Sequence, residues 1–273
     1  MPHPDDEMPQ PGGALRPRRK GIYILPNAIT LGALFSGFYG IVMAMNGRFE
    51  VACISIFVAA VLDSLDGRVA RMTNAQSAFG EQMDSLSDMV SFGAAPALIV
   101  YIWALRDMGK LGWIPAFVYI AGAALRLARF NVNIGVVDKR FFQGLPSPAA
   151  AALVVGLVWV VDDAGYKGVS KIEPLVWTAF AVTLYAGLSM VTNAPFYSFK
   201  VVGGRRTVPF IVIVAIAIGI AVIALDPAKA LFSLFAAYGL SGYAVYGWRR
   251  FQGQPTSVIA VSTDEPDEKG LHH

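Results

Sequence analysis

The sequence predicts an all-α polytopic membrane protein with about eight transmembrane helices. Of its 273 residues, 55% are hydrophobic and only 15% are charged, whereas soluble domains carry roughly 25% charged residues. The apolar residues also form continuous runs near the ~20 residues that an α-helix needs to cross a bilayer. These two observations exclude a water-soluble fold for most of the chain.

The chain begins with an arm, residues 1–20, that is rich in Pro, Gly and charge and is predicted to be disordered. The transmembrane domain is predicted to occupy residues 21–250, followed by a disordered, partly acidic tail over residues 251–273. The predicted spans lie at about 27–46, 50–71, 81–105, 113–132, 148–162, 174–194, 208–225 and 229–248. Because the fifth segment is short, six or seven spans is an alternative count.

The distribution of Lys and Arg indicates how the helices are oriented. With the N-terminal arm in the cytoplasm, most Lys and Arg residues fall at the cytoplasmic ends of the alternating spans, as the positive-inside bias requires. Both termini are therefore predicted to be cytoplasmic. The net charge of +3 is interpreted as this topology signal, so membrane lipids are expected partners and nucleic acid is not.

The clearest chemical signal is a set of four aspartates that begins in the second predicted span. Asp63 and Asp66 are three residues apart, so they share one face of a helix. Asp84 and Asp88 are four residues apart in the third predicted span and also share a face. A short loop joins the two helices, which must run antiparallel, so the two faces can meet. Four carboxylates are therefore expected around one cavity near the cytoplasmic surface.

Carboxylates at membrane depth are costly and usually mark a functional cavity, a partner charge or an ion path. Four ionised carboxylates in a small cavity repel one another unless cations or protons neutralise them. Ligands that are all oxygens favour Mg²⁺ or Mn²⁺, and four aspartates are enough for two such ions, which assist phosphoryl transfer in other enzymes. The alternatives are buried salt bridges to the arginines Arg68, Arg71, Arg126 and Arg129, or an ion relay in a transporter.

The eight fixed positions from Asp63 to Asp88 follow the pattern D-x2-D-G-x2-A-R-x8-G-x3-D-x3-D without departure. This pattern resembles the signature of the CDP-alcohol phosphotransferases, integral membrane enzymes that displace CMP from a CDP-linked lipid or alcohol with a second alcohol. The resemblance implies that the metal ligands are Asp63, Asp66, Asp84 and Asp88. It also implies that Asp88 takes the proton from the attacking hydroxyl, and that the protein is a homodimer.

The same resemblance implies a surface that binds the CDP-lipid. Its residues would be Asn27, Thr30, Gly67, Ala70, Arg71, Ser77 and Gly80. Gly67, Ala70 and Gly80 leave little side-chain bulk where a ligand would approach the backbone. For Asn27 and Thr30, at the opening of the first span, a role in capping the helix is an open alternative.

Three further stretches resemble the membrane-embedded phosphatidylserine synthase branch of that family: residues 91–97, 124–131 and 142–150. This resemblance implies that CDP-diacylglycerol and L-serine react to give phosphatidylserine and CMP. Serine carries a carboxylate, which an Arg guanidinium can bind through two parallel hydrogen bonds. Arg126, Arg129 and Asn131 are therefore predicted to contact serine. The two arginines could instead reach lipid headgroups or neutralise an aspartate.

Three other functions are compatible with parts of the pattern. A phosphatidylglycerophosphate synthase would use the same aspartates with glycerol 3-phosphate as the acceptor. An ion-coupled transporter would use the carboxylates as a cation site, but such proteins tend to show paired repeats and helices interrupted at mid-membrane. A scaffold protein would leave the spacing unexplained. We expect the bacterial inner membrane as the location, with the active site at the cytoplasmic face.

Overall fold

A computed structural model of the chain describes residues 24–132, 141–166, 168–169, 171–197 and 210–252. The predicted arm and nearly all of the predicted tail lie outside these residues. Eight helical segments make up most of the described chain: α1 (Ile24–Met45), α2 (Phe49–Met72), α3 (Ala78–Leu111), α4 (Trp113–Val132), α5 (Ser147–Asp163), α6 (Glu173–Val191), α7 (Phe210–Leu225) and α8 (Pro227–Phe251). The all-α prediction is confirmed.

Within the described residues, five helices are long and apolar enough to cross a membrane, namely α1, α3, α4, α6 and α8. This makes the chain an integral membrane protein. α5 and α7 have 17 and 16 residues, somewhat below the ~20 that span a bilayer without thinning it. α2 has 24 residues but carries both acidic and basic residues in its last turns. The count of eight spans stays a prediction.

The helices pack around α5, which is buried along most of its length, from Ala149 to Val158. A helix that is apolar on all sides belongs in the interior, and its small residues let neighbouring helices approach. α1 lies along α2, and α4 lies along α6. The α4–α6 contact depends on Gly122 and Gly187, because a Cβ at either position would collide with the backbone of the other helix.

α3 is not a uniform α-helix. α-helical turns over Ala78–Asp88 and Ala95–Val100 are separated by a π-helical turn over Met89–Ala94. A second π-helical turn, Tyr101–Leu105, leads into a final 3₁₀ stretch. Turns of this kind occur frequently at functional sites, and the first one begins directly after Asp88. Such a turn rotates the residues that follow it relative to those that precede it.

A two-stranded antiparallel ribbon lies next to the helices, and sequence patterns did not predict it. Strand β1 (Phe141–Gln143) pairs with strand β2 (Pro195–Tyr197), with Gln143 opposite Pro195. The ribbon comes close to the end of α6 at Gly144, which has a positive φ of 74°. A Cβ at this position would collide with the carbonyl oxygen of Met190. Only glycine adopts this conformation readily. The N–H of Gly144 donates to the carbonyl of Ala194 at 3.0 Å.

Candidate active site

The four aspartates of the sequence pattern come together between α2 and α3. One carboxylate oxygen each from Asp63, Asp66 and Asp84 lies within 4.8 Å of the others. Asp88 follows one turn later on α3, and its carboxyl is in contact with that of Asp63. The predicted meeting of the two helix faces is confirmed, because α2 and α3 place all four side chains in one cluster.

This cluster can hold a divalent cation. Its donors are all carboxylate oxygens, the type of ligand that Mg²⁺ and Mn²⁺ accept. Asp66 is buried and the other three are half-buried. Carboxylates in such contact repel one another, so a bound cation relieves an arrangement that is otherwise unfavourable. The chemistry of the donor set therefore fits the metal site that the sequence predicts.

Thr30 on α1 holds Asp66 in place. Its hydroxyl lies 2.6 Å from Oδ2 of Asp66 and 3.1 Å from the carbonyl oxygen of Pro26. The short distance to Asp66 is that of a charge-assisted hydrogen bond. Thr30 was predicted to contact the nucleotide, and the structure adds a second role, because its side chain orients a carboxylate of the cluster.

α1 is also tied to α3 beside the aspartates. The hydroxyl of Ser87 donates to the carbonyl oxygen of Thr30 at 3.2 Å, and the hydroxyl of Ser91 donates to that of Ala33 at 3.1 Å. Gly37 allows this approach, since a Cβ there would lie 2.5 Å from Oγ of Ser91. Thr30 thus contacts α2 through its hydroxyl and α3 through its carbonyl.

A cavity of about 220 Å³ opens next to the cluster. Every residue predicted to bind the CDP-lipid lines it: Asn27, Thr30, Gly67, Ala70, Arg71, Ser77 and Gly80. Asp66 and Asp84 form part of the same wall. The structure therefore brings together in one cavity residues that lie up to 53 positions apart, between Asn27 and Gly80.

Two glycines keep the cavity wall open. At Gly67, the nearest atom to an added Cβ would be Nη1 of Arg71 at 3.5 Å, so the Arg71 guanidinium lies over the glycine. At Gly80, an added Cβ would lie 3.2 Å from Oγ of Ser77 and 3.4 Å from Oδ1 of Asn27. A guanidinium and an amide that face an open cavity are suited to bind phosphate and other polar groups.

Asn27 and Ser77 differ in how they relate to helix ends. α1 already includes Ile24, so Asn27 lies inside its first turns and the capping alternative for Asn27 is wrong. Ser77 does cap a helix, because its side chain accepts a hydrogen bond from the N–H of Gly80 at 3.0 Å. Its predicted contact with the CDP-lipid stays a prediction.

Sequence reasoning missed four residues of the cavity wall: Pro26, Ala75, Gln76 and Glu81. Glu81 lies three residues before Asp84, so the helical spacing that indicated the aspartates also pointed to it. Ala75 and Gln76 lie in the loop between α2 and α3, where no periodic pattern places a side chain.

The three residues predicted to contact serine lie on the last turns of α4, outside this cavity wall. Arg126 donates to Oγ of Ser147 at 2.8 Å and interacts electrostatically with Asp88. Asn131 exchanges hydrogen bonds with Ser85, at 3.0 and 3.4 Å, beside Asp84. The alternative that Arg126 helps to neutralise an aspartate is therefore in accord with the structure, and a contact with serine stays a prediction.

Arg129 contacts the end of α6 and the segment that precedes strand β2. Its Nη1 donates to the carbonyl oxygen of Val191 at 3.2 Å and to Oδ1 of Asn193 at 3.3 Å. Val191 is the last residue of α6, so the cation also stabilises a helix C-terminus. The ends of α4, α6 and the ribbon meet at this arginine.

Comparison with known proteins agrees with this geometry. The family described as CDP-alcohol phosphatidyltransferase matches residues 23–185, which include α1 to α5, most of α6 and all four aspartates. The chain belongs to the CDP-alcohol phosphatidyltransferase family. The matched residues end within α6, so β2, α7 and α8 lie beyond them.

Individual relatives share this similarity, and one of them covers more of the chain than the family domain does. The chain is 34% identical to a CDP-diacylglycerol–serine O-phosphatidyltransferase of Helicobacter pylori, over 80% of this chain and 90% of the relative. It is 39% identical to an enzyme of the same name from Mycobacterium leprae, over 52% of this chain and 50% of the relative. It is also 39% identical to an archaetidylserine synthase of Methanothermobacter thermautotrophicus, over 48% of this chain and 55% of the relative.

Proposed function

We propose that the protein transfers the phosphatidyl group of CDP-diacylglycerol to the hydroxyl of L-serine, giving phosphatidylserine and CMP. The observation that carries the reaction class is the cavity beside the four aspartates, which is lined by the whole set of predicted CDP-lipid contacts. The acceptor is supported by the relatives, since those described above act on serine by name or make a serine lipid.

In the proposed reaction, the CDP-lipid lies in the cavity with its acyl chains in the membrane. Asn27, Arg71 and Ser77 bind the CDP moiety, and Gly67 and Gly80 let it approach the helix backbones. Two divalent cations, Mg²⁺ or Mn²⁺, held by Asp63, Asp66, Asp84 and Asp88, would neutralise the charge of the pyrophosphate.

The chemical step is a direct displacement. Asp88 accepts the proton of the serine hydroxyl, and the serine oxygen forms a bond to the lipid-linked phosphorus. The bond from this phosphorus to the CMP phosphate oxygen breaks, and CMP leaves with that electron pair. Asp88 suits the role of base because it lies at the edge of the cluster, next to the arginine-bearing end of α4.

The serine molecule is proposed to lie between Asp88 and the last turns of α4. There, Arg126 and Arg129 would bind its carboxylate, and Asn131 would supply a further polar contact. The proposal also includes an active site at the cytoplasmic face of a bacterial inner membrane, cytoplasmic termini and a homodimer, which rest on the charge distribution and on family resemblance.

The test is an assay of CMP release by purified full-length protein in lipid vesicles with CDP-diacylglycerol and Mg²⁺ or Mn²⁺. L-serine, glycerol 3-phosphate and inositol phosphate are compared as acceptors. We expect release with serine, and a loss of at least about 100-fold in Asp88→Asn, because general base catalysis contributes about 10²- to 10⁴-fold. Release driven by glycerol 3-phosphate instead would identify a phosphatidylglycerophosphate synthase.

Asp107→Asn is the matched control for Asp88→Asn. Asp107 lies on the same helix, α3, but at its other end, and it is exposed beside Arg106 at 3.7 Å. An exposed ion pair of this kind contributes little, so activity should stay at the parent level. Equal losses in both variants would contradict the role of Asp88, and no release with any acceptor would contradict the enzyme assignment.

A further inference from the structure

The hydrogen bonds around Arg129 form a network that reaches beyond the family domain. Oδ1 of Asn193 accepts a hydrogen bond from Nη1 of Arg129 at 3.3 Å and another from Nε2 of Gln143 at 2.5 Å. Gln143 belongs to strand β1, and Asn193 precedes strand β2 by two residues. One amide oxygen thus links the end of α4 to the ribbon.

The contacts of Arg129 leave some of its N–H donors available for a ligand. The two bonds from Arg129 to Val191 and Asn193 use the two hydrogens of Nη1. A guanidinium has three further N–H donors, on Nε and Nη2, fixed in one plane with the first two. Bonds at Nη1 therefore determine the direction in which the other donors point.

The end of α4 is held by three side chains. Asn131 bonds to Ser85 beside the aspartates, and Arg126 interacts with Asp88. Arg129, one turn after Arg126, bonds to Asn193. The ribbon approaches α6 closely at Gly144, and the N–H of Leu145 donates to the carbonyl of Ser189 in α6 at 2.9 Å. Because these contacts fix the end of α4, its side chains are held in one conformation.

We infer that Asn193, supported by Gln143, is a positioning residue that orients Arg129 to bind the carboxylate of the acceptor. The inference rests on the proposed function. It assigns a role to the stretch at residues 142–150, in which Gln143 supports the oxygen that Arg129 contacts and Gly144 docks the ribbon. It also assigns a role to Asn193, which lies beyond the family domain that ends at residue 185.

The steady-state kinetics of Asn193→Ala test the inference. CMP release is measured in vesicles while L-serine and CDP-diacylglycerol are varied in turn. We expect the KM for serine to rise about tenfold, as for loss of one hydrogen bond to a charged group. The KM for CDP-diacylglycerol and kcat should stay near the parent values. Asn193→Asp keeps the oxygen that Arg129 contacts, so it should stay close to the parent in its KM for serine.

Ethanolamine provides a second measurement, because it has the hydroxyl and ammonium of serine but no carboxylate. If Arg129 binds the carboxylate, Asn193→Ala should reduce the preference for serine over ethanolamine. Gln143→Leu removes only the bond that supports Asn193, so it should shift the KM for serine in the same direction but less. If Asn193→Ala does not fold, the KM for serine of Gln143→Leu tests the inference.

Asn46→Ala is the control. Asn46 is also exposed and its side-chain amide donates to the carbonyl of Val42 at 2.9 Å, but it lies in the loop after α1, away from the ribbon. The inference is overturned if Asn193→Ala and Gln143→Leu leave the KM for serine at the value of Asn46→Ala. It is also overturned if kcat and the KM values for both substrates all change to a similar extent. If the parent protein shows no serine-dependent release, the proposed function fails instead.

Discussion

Replacing Thr30 by Val should weaken cation binding by the aspartate cluster. Val keeps nearly the shape of Thr but removes the hydroxyl that bonds Asp66 at 2.6 Å. Thr30 and Asp66 are only 5% and 4% exposed, so water has little access to the position that the hydroxyl leaves. Hydrogen bonds to charged groups contribute about 1.5–3 kcal/mol. If this energy holds Asp66 in its cation-binding orientation, the affinity for the cation should fall roughly 10- to 100-fold.

The measurement is the melting temperature of the purified protein as Mg²⁺ or Mn²⁺ is titrated, since binding to the folded state raises apparent stability. Thr30→Ser, which keeps a hydroxyl, should behave like the parent. Thr178→Val is the matched control, because the hydroxyl of Thr178 also bonds the carbonyl of a proline four residues earlier, Pro174, but at an exposed site on α6. Identical titration curves for Thr30→Val and Thr178→Val would refute the reasoning.

Two more predictions concern the cavity and the cluster. Gly67→Ala should fold normally, because the nearest atom to its new Cβ is the end of the flexible Arg71 side chain at 3.5 Å. It should raise the KM for CDP-diacylglycerol, and an unchanged KM would contradict the placement of the CDP-lipid. Unfolding of this variant would contradict the space that the structure shows at Gly67. Chelation of divalent cations should abolish serine-dependent CMP release and lower the melting temperature, and Mg²⁺ or Mn²⁺ should restore both; full activity after chelation would contradict the metal site.

The aspartate cluster could be predicted from sequence because its geometry is local. Spacings of three and four residues put each pair on one helix face, and a short connection forces α2 and α3 to run antiparallel. The same locality puts Gly67, Ala70 and Arg71 beside Asp66 on α2, although their contact with the CDP-lipid came from the resemblance. Asn27 and Thr30 came from the resemblance alone, since nothing in local spacing brings α1 to this face. Their proximity depends on packing, through hydroxyls such as that of Ser87.

Features that depend on tertiary packing were not predictable. The π-helical turn after Asp88 has no periodic signature, because the sequence stays apolar through it. The ribbon has three-residue strands, too short for an alternating pattern to be recognised. The bond between Thr30 and Asp66 joins residues 36 positions apart. For the ribbon and for this bond, the deciding contact is made by a partner that is distant in sequence.

This difference coincides with a division of the proposed active site into two parts. The part that would bind the CDP-lipid is built mainly from α2, α3 and the start of α1, within the first 90 residues, and it matches the family as a whole. The part that would select the acceptor joins Arg129 on α4 to Val191 and Asn193, which lie 62 and 64 positions later.

An arginine alone attracts any anionic acceptor, so discrimination between serine and a phosphorylated alcohol requires that the arginine be oriented. The contacts that orient it lie where the general family match ends and where similarity to the serine enzyme of Helicobacter pylori, which covers 80% of this chain, must continue. Acceptor choice should therefore change with substitutions at the ribbon, while loss of the aspartates removes activity with every acceptor.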